Sequence, residues 1–347
     1  MTWPKFWTKT TWQTILLSPL AALTCRVAQR RFQQFQQNPN DFSPRPKVIV
    51  VGNIVAGGSG KTPFIQWLGR QLQQHEIPFG VISRGYGGQA KQYPLEVLTD
   101  TPAAESGDEP LMLKQSLDCP VVVSPKRREA LEKMMAWHPE VQVVISDDGL
   151  QHFALPRDFE VVLMESQRGI GNGYCLPAGP LREPISRLAS VDAVVCNQNS
   201  RQSETACQDW EFWQNLRAEK TFSLALRPVC FRSVQHSDEV RSIESFAGQS
   251  VVAMAGIGHP QRFFETLSEL QIQVSPVPLK DHQPLDLTFL QQIRPDSNKP
   301  LIMTQKDAVK CEGFRMHLPN AWFLEVEPQV SDTLWQKIYQ ALFKLST

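Results

Sequence analysis

The chain has 347 residues, of which 41% are hydrophobic and 20% charged, so it can bury one large core or two ordinary ones and does not suit a disordered chain. Lysine plus arginine equals aspartate plus glutamate, 35 against 35, so the basic excess of a nucleic-acid-binding protein is missing and any acidic ligand must be met by local clusters. The seven cysteines are scattered and form no Cys-x-x-Cys pair; they suggest neither a disulfide framework nor a zinc site, and most fit buried apolar residues in a reducing cytoplasm.

Trp3, Trp7 and Trp12 lead into an uncharged run at residues 10–25, too short and too polar to span a bilayer, with Gln13, Ser18 and Pro19 inside it. Lys5 and Lys9 ahead of an apolar stretch could begin a signal peptide, but a glycine-rich run ending in Gly60-Lys61-Thr62, the pattern of a phosphate-binding loop, follows. On a helix, Trp12, Leu16, Leu20, Leu23 and Val27 share one face, with Arg26, Arg30 and Arg31 nearby. Two readings stand: an interfacial helix, its rings among lipid headgroups and its arginines on phosphates, or a helix packed on the protein's own core.

After a turn-rich segment at 38–46, buried strand-like runs occur at 48–51, 79–83, 121–124, 141–146, 160–164 and 193–196. Helical patterns at 63–74 and 127–137 lie between some of them. This alternation predicts an α/β fold with a mostly parallel sheet sandwiched by helices. A long extended run at 221–233 precedes a second set: strand 251–255, helices 260–270 and 285–293, strands 301–304 and 322–326, and an amphipathic helix at 331–344. The expected division is an N-terminal helix (1–40), a phosphate-loop domain (41–225) and a smaller α/β domain (226–347), whose last helix can join either domain.

The strongest motif begins with strand residues 47–52 and continues through Gly57-Gly58-Ser59-Gly60-Lys61-Thr62-Pro63 into a helix. Glycines let successive backbone N–H groups converge on phosphate oxygens, Lys61 would reach the β- and γ-phosphates, and the Thr62 hydroxyl would bind magnesium. Val55 stands where the strict loop has glycine, which places the motif with the Gly-Gly-x-Gly-Lys-Ser/Thr variant. Asp147-Asp148-Gly149 ends a buried strand, where a phosphate-loop enzyme holds magnesium; alone it would read as a turn. Asp108-Glu109 offers two carboxylates in a Gly/Pro-bounded segment, and Asp281-His282 an imidazole beside a carboxylate; on composition alone these read as a solvated helix start and a surface loop. Arg84, the Lys126-Arg127-Arg128 cluster and Arg182 follow predicted strands, as residues meeting a phosphorylated substrate would. Gly256-Ile-Gly258 lacks the third glycine of a dinucleotide fingerprint, and residues 304–307 are taken as a loop.

Together the motifs resemble the tetraacyldisaccharide 4'-kinase family of lipid A biosynthesis. The resemblance rests, in order, on the phosphate loop, Ser-Arg-Gly-Tyr-Gly-Gly at 83–88, Gly-Asp-Glu-Pro at 107–110, Asp-Asp-Gly-Leu-Gln-His at 147–152 and Leu-Pro-Ala-Gly-Pro-Leu-Arg-Glu-Pro at 176–184. It continues with Gly-Ile-Gly-His-Pro at 256–260, Asp281-His282 and Thr-Gln-Lys-Asp-Ala-Val-Lys at 304–310. It implies transfer of the ATP γ-phosphate, with Mg2+, to the 4'-hydroxyl of a membrane-embedded acylated glucosamine disaccharide 1-phosphate. It further implies two α/β/α domains, the smaller closing over nucleotide, in a peripheral protein on the cytoplasmic face of the bacterial inner membrane, with no nucleic-acid or protein partner indicated. By motif, Asp108 would activate the hydroxyl with His282 as partner and Lys61 on the phosphates; Thr62, Asp147, Asp148 and Glu109 would serve magnesium; Arg84, Tyr86, Arg128, His152 and Arg182 would face the sugar and its phosphate. His259 and Gln305 depart from the expected asparagine and glutamate.

The runner-up is a membrane-associated ATPase or GTPase switch, which commonly carries a lysine where this chain has Ala56; a non-catalytic nucleotide module is third. Removing residues 1–30 is expected to weaken membrane association more than ATP binding.

Overall fold

The protein is described from a computed structural model covering residues 3–38, 43, 45–198, 211–280 and 283–343. The elements in chain order are α1 (Trp12–Gln37), β1 (Lys47–Gly52), α2 (Lys61–Gln74), β2 (Phe79–Ser83), β3 (Leu95–Glu96), α3 (Ala103–Ser106), α4 (Asp108–Ser116), β4 (Val121–Val123), α5 (Arg127–Trp137) and β5 (Val143–Asp147). They continue as β6 (Phe159–Glu165), β7 (Ala193–Gln198), α6 (Glu211–Gln214), β8 (Thr221–Ser233), β9 (Val240–Arg241), β10 (Ser250–Ala255), α7 (Pro260–Glu269) and β11 (Gln273–Pro278). The last are α8 (Leu287–Ile293), β12 (Leu301–Thr304), α9 (Gln305–Val309), β13 (Ala321–Val330) and α10 (Asp332–Phe343).

Among the described residues the strands form one sheet in the order β11-β10-β12-β13-β8-β7-β6-β1-β5-β2-β4-β3, with β9 beside β8. The central pairings are parallel; β8 meets β13 antiparallel, over the long register from Trp322 opposite Ser233 to Val330 opposite Leu224. Those two strands join the N-terminal and C-terminal parts of the sheet. Side chains alternate across a strand, so Ile49 and Val51 of β1 enter one core, with α2 and α10, while Val48 and Val50 enter the other. A parallel strand buried on both faces has no polar side, which is why the predicted strands read as continuous apolar runs.

Helix α1 lies on the second core through Leu17, Ala21 and Cys25, each four residues from the next, and its far end sets Phe32 and Phe35 against Phe153 at 5.8 and 5.6 Å between ring centres. The opposite face is open: Trp12, Ile15, Leu16, Leu20 and Leu23 are 55–69% exposed. The packing of one face on the protein's own core meets the second sequence reading of this helix, and leaves the other face exposed. No helix of the described residues is long and apolar enough to cross a membrane.

Two expectations are corrected. Cys25 of α1 is disulfide-bonded to Cys175, 150 positions away, a pairing the scattered cysteines did not suggest. Residues 304–307 are not a loop: Thr304 caps α9, its hydroxyl accepting from the Asp307 N–H. The last helix packs on the N-terminal core, with Leu334, Ile338 and Leu342 beside Phe64 and Leu68 and the Trp335 indole donating to His75 Nε2 at 3.2 Å.

Candidate active site

The glycine loop leaves β1 and ends on Gly60, whose φ of +87° is left-handed backbone that favours glycine. A Cβ there would also strike the Asn197 side chain. Asn53 Nδ2 donates to the Gly57 carbonyl at 3.0 Å and to Ser59 Oγ at 3.2 Å, and Asn197 Nδ2 to the Ser59 carbonyl at 3.2 Å. These side-chain amides fix the loop's outer carbonyls. Thr62 is buried in the first turn of α2, beside Lys61.

The acidic strand end sits beside the loop. Asp148 has φ +48° and receives Lys61 Nζ at 3.5 Å and Arg182 Nη1 at 3.1 Å on both carboxylate oxygens. Burial raises its pKa, but Lys61 and Arg182 outweigh that and hold it well below the carboxylate range. Asp147 differs. Burial, reinforced by Glu109 and Asp148, lifts it from 3.8 to about 6, with Lys61 opposing. Its Oδ2 accepts from Ser83 Oγ at 2.9 Å, and its Oδ1 is buried without a hydrogen-bond partner. Arg127, 2% exposed, donates to the backbone carbonyls of Asp147 and Ser124 at 2.9 and 3.0 Å and braces this corner.

Asp108 and Glu109 open α4, with Gly107 at φ +88° ahead of them. Two lysines of the C-terminal part reach them: Lys306 Nζ lies 3.1 Å from Glu109 and Lys310 Nζ 3.6 Å from Asp108. Lys310 is also held by Asp307 at 3.0 Å, and Asp307 in turn accepts from the Gly256 N–H at 2.8 Å and the Thr304 hydroxyl at 2.7 Å. Lys306, Asp307 and Lys310 were missed by inspection of the sequence; the run Thr-Gln-Lys-Asp-Ala-Val-Lys was the available signal. Between the two parts lies a cleft of about 250 Å³, lined by the loop residues 58–62, Glu109, Gly258, His259, Gln305 and Lys306, with Ile257, Phe263 and Leu324 among its apolar walls. Both departures from the family pattern, His259 and Gln305, therefore face this cleft.

The expected substrate residues sit in different settings. His152 is half-buried near Arg127 and Arg84; burial, then Arg127, lowers its pKa from 6.5 to about 4, so it is a neutral hydrogen-bonding group at pH 7. Arg84 and Tyr86 are exposed after β2. Arg128 pairs along its own helix with Glu132 at 3.0 Å, and Arg182 is engaged by Asp148. Asp281 and His282 lie outside the described residues.

The match to known proteins agrees with this geometry. The family model for LpxK, tetraacyldisaccharide-1-P 4'-kinase, matches residues 13–343. The chain belongs to this family. A tetraacyldisaccharide 4'-kinase of Hydrogenovibrio crunogenus is 46% identical over 345 residues, 99% of this chain and 98% of that protein. The crystal structure of LpxK from Aquifex aeolicus, described as an "apo" form in complex with ATP, superposes with a TM-score of 0.76 at 26% identity, covering 95% of this chain and 99% of that one.

As in any ATP-dependent kinase, the site must accept magnesium as well as nucleotide. Among the described residues no three His, Cys, Asp or Glu side chains converge as a ready-made metal cluster. Magnesium bound with nucleotide takes one or two carboxylates, phosphate oxygens and water, so a full protein cage is not required. The unpartnered Asp147 Oδ1, within the electrostatic reach of Lys61, fits that role.

Proposed function

We propose that this 4'-kinase moves the ATP γ-phosphate to the 4'-hydroxyl of an acylated glucosamine disaccharide 1-phosphate, with Asp108 taking the hydroxyl proton and Lys61 on the transferring phosphate. The observation that carries the reading is the cleft, where Lys61, Thr62 and Glu109 meet across the glycine loop, with the Asp147-Asp148 strand end beside it. Phosphoryl transfer needs alignment and charge neutralisation rather than covalent help. Thr62 and Asp147, with Asp148 and Glu109 as further acidic groups, would hold magnesium, which would supply counter-charge to the phosphoryl oxygens. Lys61 provides a second positive charge, while Asp148, itself held by Arg182, keeps its ammonium in place. Lys310 supports Asp108 beside the acceptor, and His282 is assigned as its partner on motif alone. Arg84, Tyr86, Arg128 and His152 are assigned to the sugar and its 1-phosphate.

The acceptor resides in a bilayer, so the enzyme works as a peripheral protein on the cytoplasmic face of the inner membrane, where ATP is available. The exposed apolar face of α1 supports this placement. We read residues 41–225 and 226–347 as the two domains, with β8 and β13 as their connection.

The direct test is transfer of labelled γ-phosphate to the acylated disaccharide 1-phosphate in detergent micelles, with Asp108→Ala and Lys61→Ala beside the wild type. Labelled lipid that both substitutions reduce by about a hundredfold or more is expected. Hydrolysis of ATP with no labelled lipid would instead support a nucleotide switch.

A further inference from the structure

The segment ahead of α1 does not project into solvent. Trp7 Nε1 donates to the Pro177 carbonyl at 3.0 Å, and Asn172 donates from its backbone to the Trp7 carbonyl at 2.7 Å and from its side chain to the Phe6 carbonyl at 2.8 Å. So anchored, the segment brings Trp3 behind the phosphate loop, where its indole N–H donates to the Ala56 carbonyl at 2.8 Å. A Cβ at Gly171 would collide with the Trp7 carbonyl and the Trp3 ring, so that corner is built around the tryptophans.

The Ala56 carbonyl and the Gly57 N–H belong to one trans peptide and point in opposite directions. Holding the carbonyl outward on Trp3 therefore turns the Gly57 N–H toward the inner side of the loop. The neighbouring peptides are held as well: the Ala56 N–H donates to the Pro180 carbonyl at 2.8 Å, and the Gly57 carbonyl accepts from Asn53. Arg168 extends the contact. Its guanidinium lies 5.4 Å from the Trp3 ring centre, and Nη2 donates to the Gly258 carbonyl at 2.7 Å. Gly258 itself packs on Gly58, where an added Cβ would come within 2.8 Å of the Gly58 nitrogen.

We infer that Trp3 is a positioning residue for ATP binding: it sets the outer peptide of the phosphate loop and, through Arg168, ties the loop to the Gly256–Gly258 turn of the C-terminal part. The same N-terminal arm then serves two ends, the exposed stripe of α1 and the loop that holds phosphate. Residues 3 and 168 do not line the cleft, so their effect falls on affinity for nucleotide rather than on the transfer step. The inference rests on residues 52–62 being the phosphate loop, which the wild-type measurement checks separately.

The test is calorimetric titration of MgATP into the full chain, comparing wild type with Trp3→Ala and Trp3→Phe, alongside melting temperature and sedimentation with anionic phospholipid vesicles. Trp3→Ala should weaken ATP binding about five- to tenfold, the loss expected for one partly buried hydrogen bond and its packing. Trp3→Phe, which keeps a ring beside Arg168 but loses the N–H, should fall between. In transfer assays the KM for ATP should rise while kcat at saturating ATP changes less than about twofold. Vesicle sedimentation and melting should stay at wild-type values. Unchanged ATP affinity in Trp3→Ala would overturn the inference, and so would a parallel fall in affinity, melting temperature and vesicle binding, which marks a loosened fold. A wild type that binds no ATP would remove the phosphate-loop reading itself.

Discussion

Asp147 and Asp148 are adjacent and opposite in character. Asp148 has two cations on it, whereas Asp147 carries a buried oxygen with no partner. An acid whose folded pKa lies above its unfolded value costs stability as pH rises through that interval, and the full cost is present above the folded value. For Asp147 the interval runs from 3.8 to about 6. Replacing Asp147 with Asn removes the buried charge, so the variant without metal or nucleotide should melt roughly 2–4 °C above wild type at pH 7.5. The difference should shrink toward pH 4, and magnesium-dependent transfer should fall sharply. A variant that melts lower at pH 7.5 would show that the carboxylate is satisfied by something other than metal. The adjacent aspartates could be found in the sequence because a buried strand ended on them. Their unlike environments could not, since those depend on Lys61, Arg127, Arg182 and Glu109, all distant in the chain.

Helix α1 shows what periodicity reveals and what it leaves out. Spacings of three and four picked out Trp12, Leu16, Leu20, Leu23 and Val27, and these are the exposed residues. The core-facing positions, half-buried Leu17 and Cys25 with buried Ala21 between them, formed a weaker stripe, and the Cys25–Cys175 bond could not be read across 150 positions. Leu16→Glu with Leu20→Glu should cut sedimentation with anionic vesicles more than about tenfold, because charge replaces apolar surface at the lipid boundary. ATP affinity should hold, since neither side chain approaches the cleft. Equal sedimentation of wild type and double variant would remove α1 as the docking face. Deleting residues 1–30 is a different experiment from the one the sequence suggested: it also removes Trp3 from the loop, so ATP affinity should fall along with membrane association. Strand β11 was missed for a physical reason. It is an edge strand reading Gln-Val-Ser-Pro-Val-Pro, with two prolines and little burial, and edge positions tolerate both.

At the scale of the whole molecule, one sheet runs from the N-terminal core to the C-terminal one, and side chains reach across the cleft between the two parts. Lys306 meets Glu109, Lys310 meets Asp108, Arg168 meets the Gly258 carbonyl, and Arg262 donates to Asn197 Oδ1 at 3.1 Å. The elements themselves were legible from apolar runs, since each run encodes its own burial. The contacts were not, because the lysines of α9 acquire meaning only when the chain brings residues about 200 positions apart together. Gly256-Ile-Gly258 is the clearest case: discounted as an incomplete fingerprint, it packs directly on the phosphate loop. Gly258→Val tests whether that close approach is needed. The added side chain would meet the Gly58 backbone, which cannot swing aside as a long side chain can, so the two parts must separate to admit it. ATP affinity should fall about tenfold or more, as the cleft loses its fit to nucleotide. Because the two cores lie on either side of this contact and are unaltered by it, melting without nucleotide should change little, and the stabilisation that ATP adds to the melt should largely disappear. A variant with wild-type ATP affinity would mean that the cleft binds nucleotide in a more open arrangement than this one, and that the Gly58–Gly258 contact forms without contributing to binding.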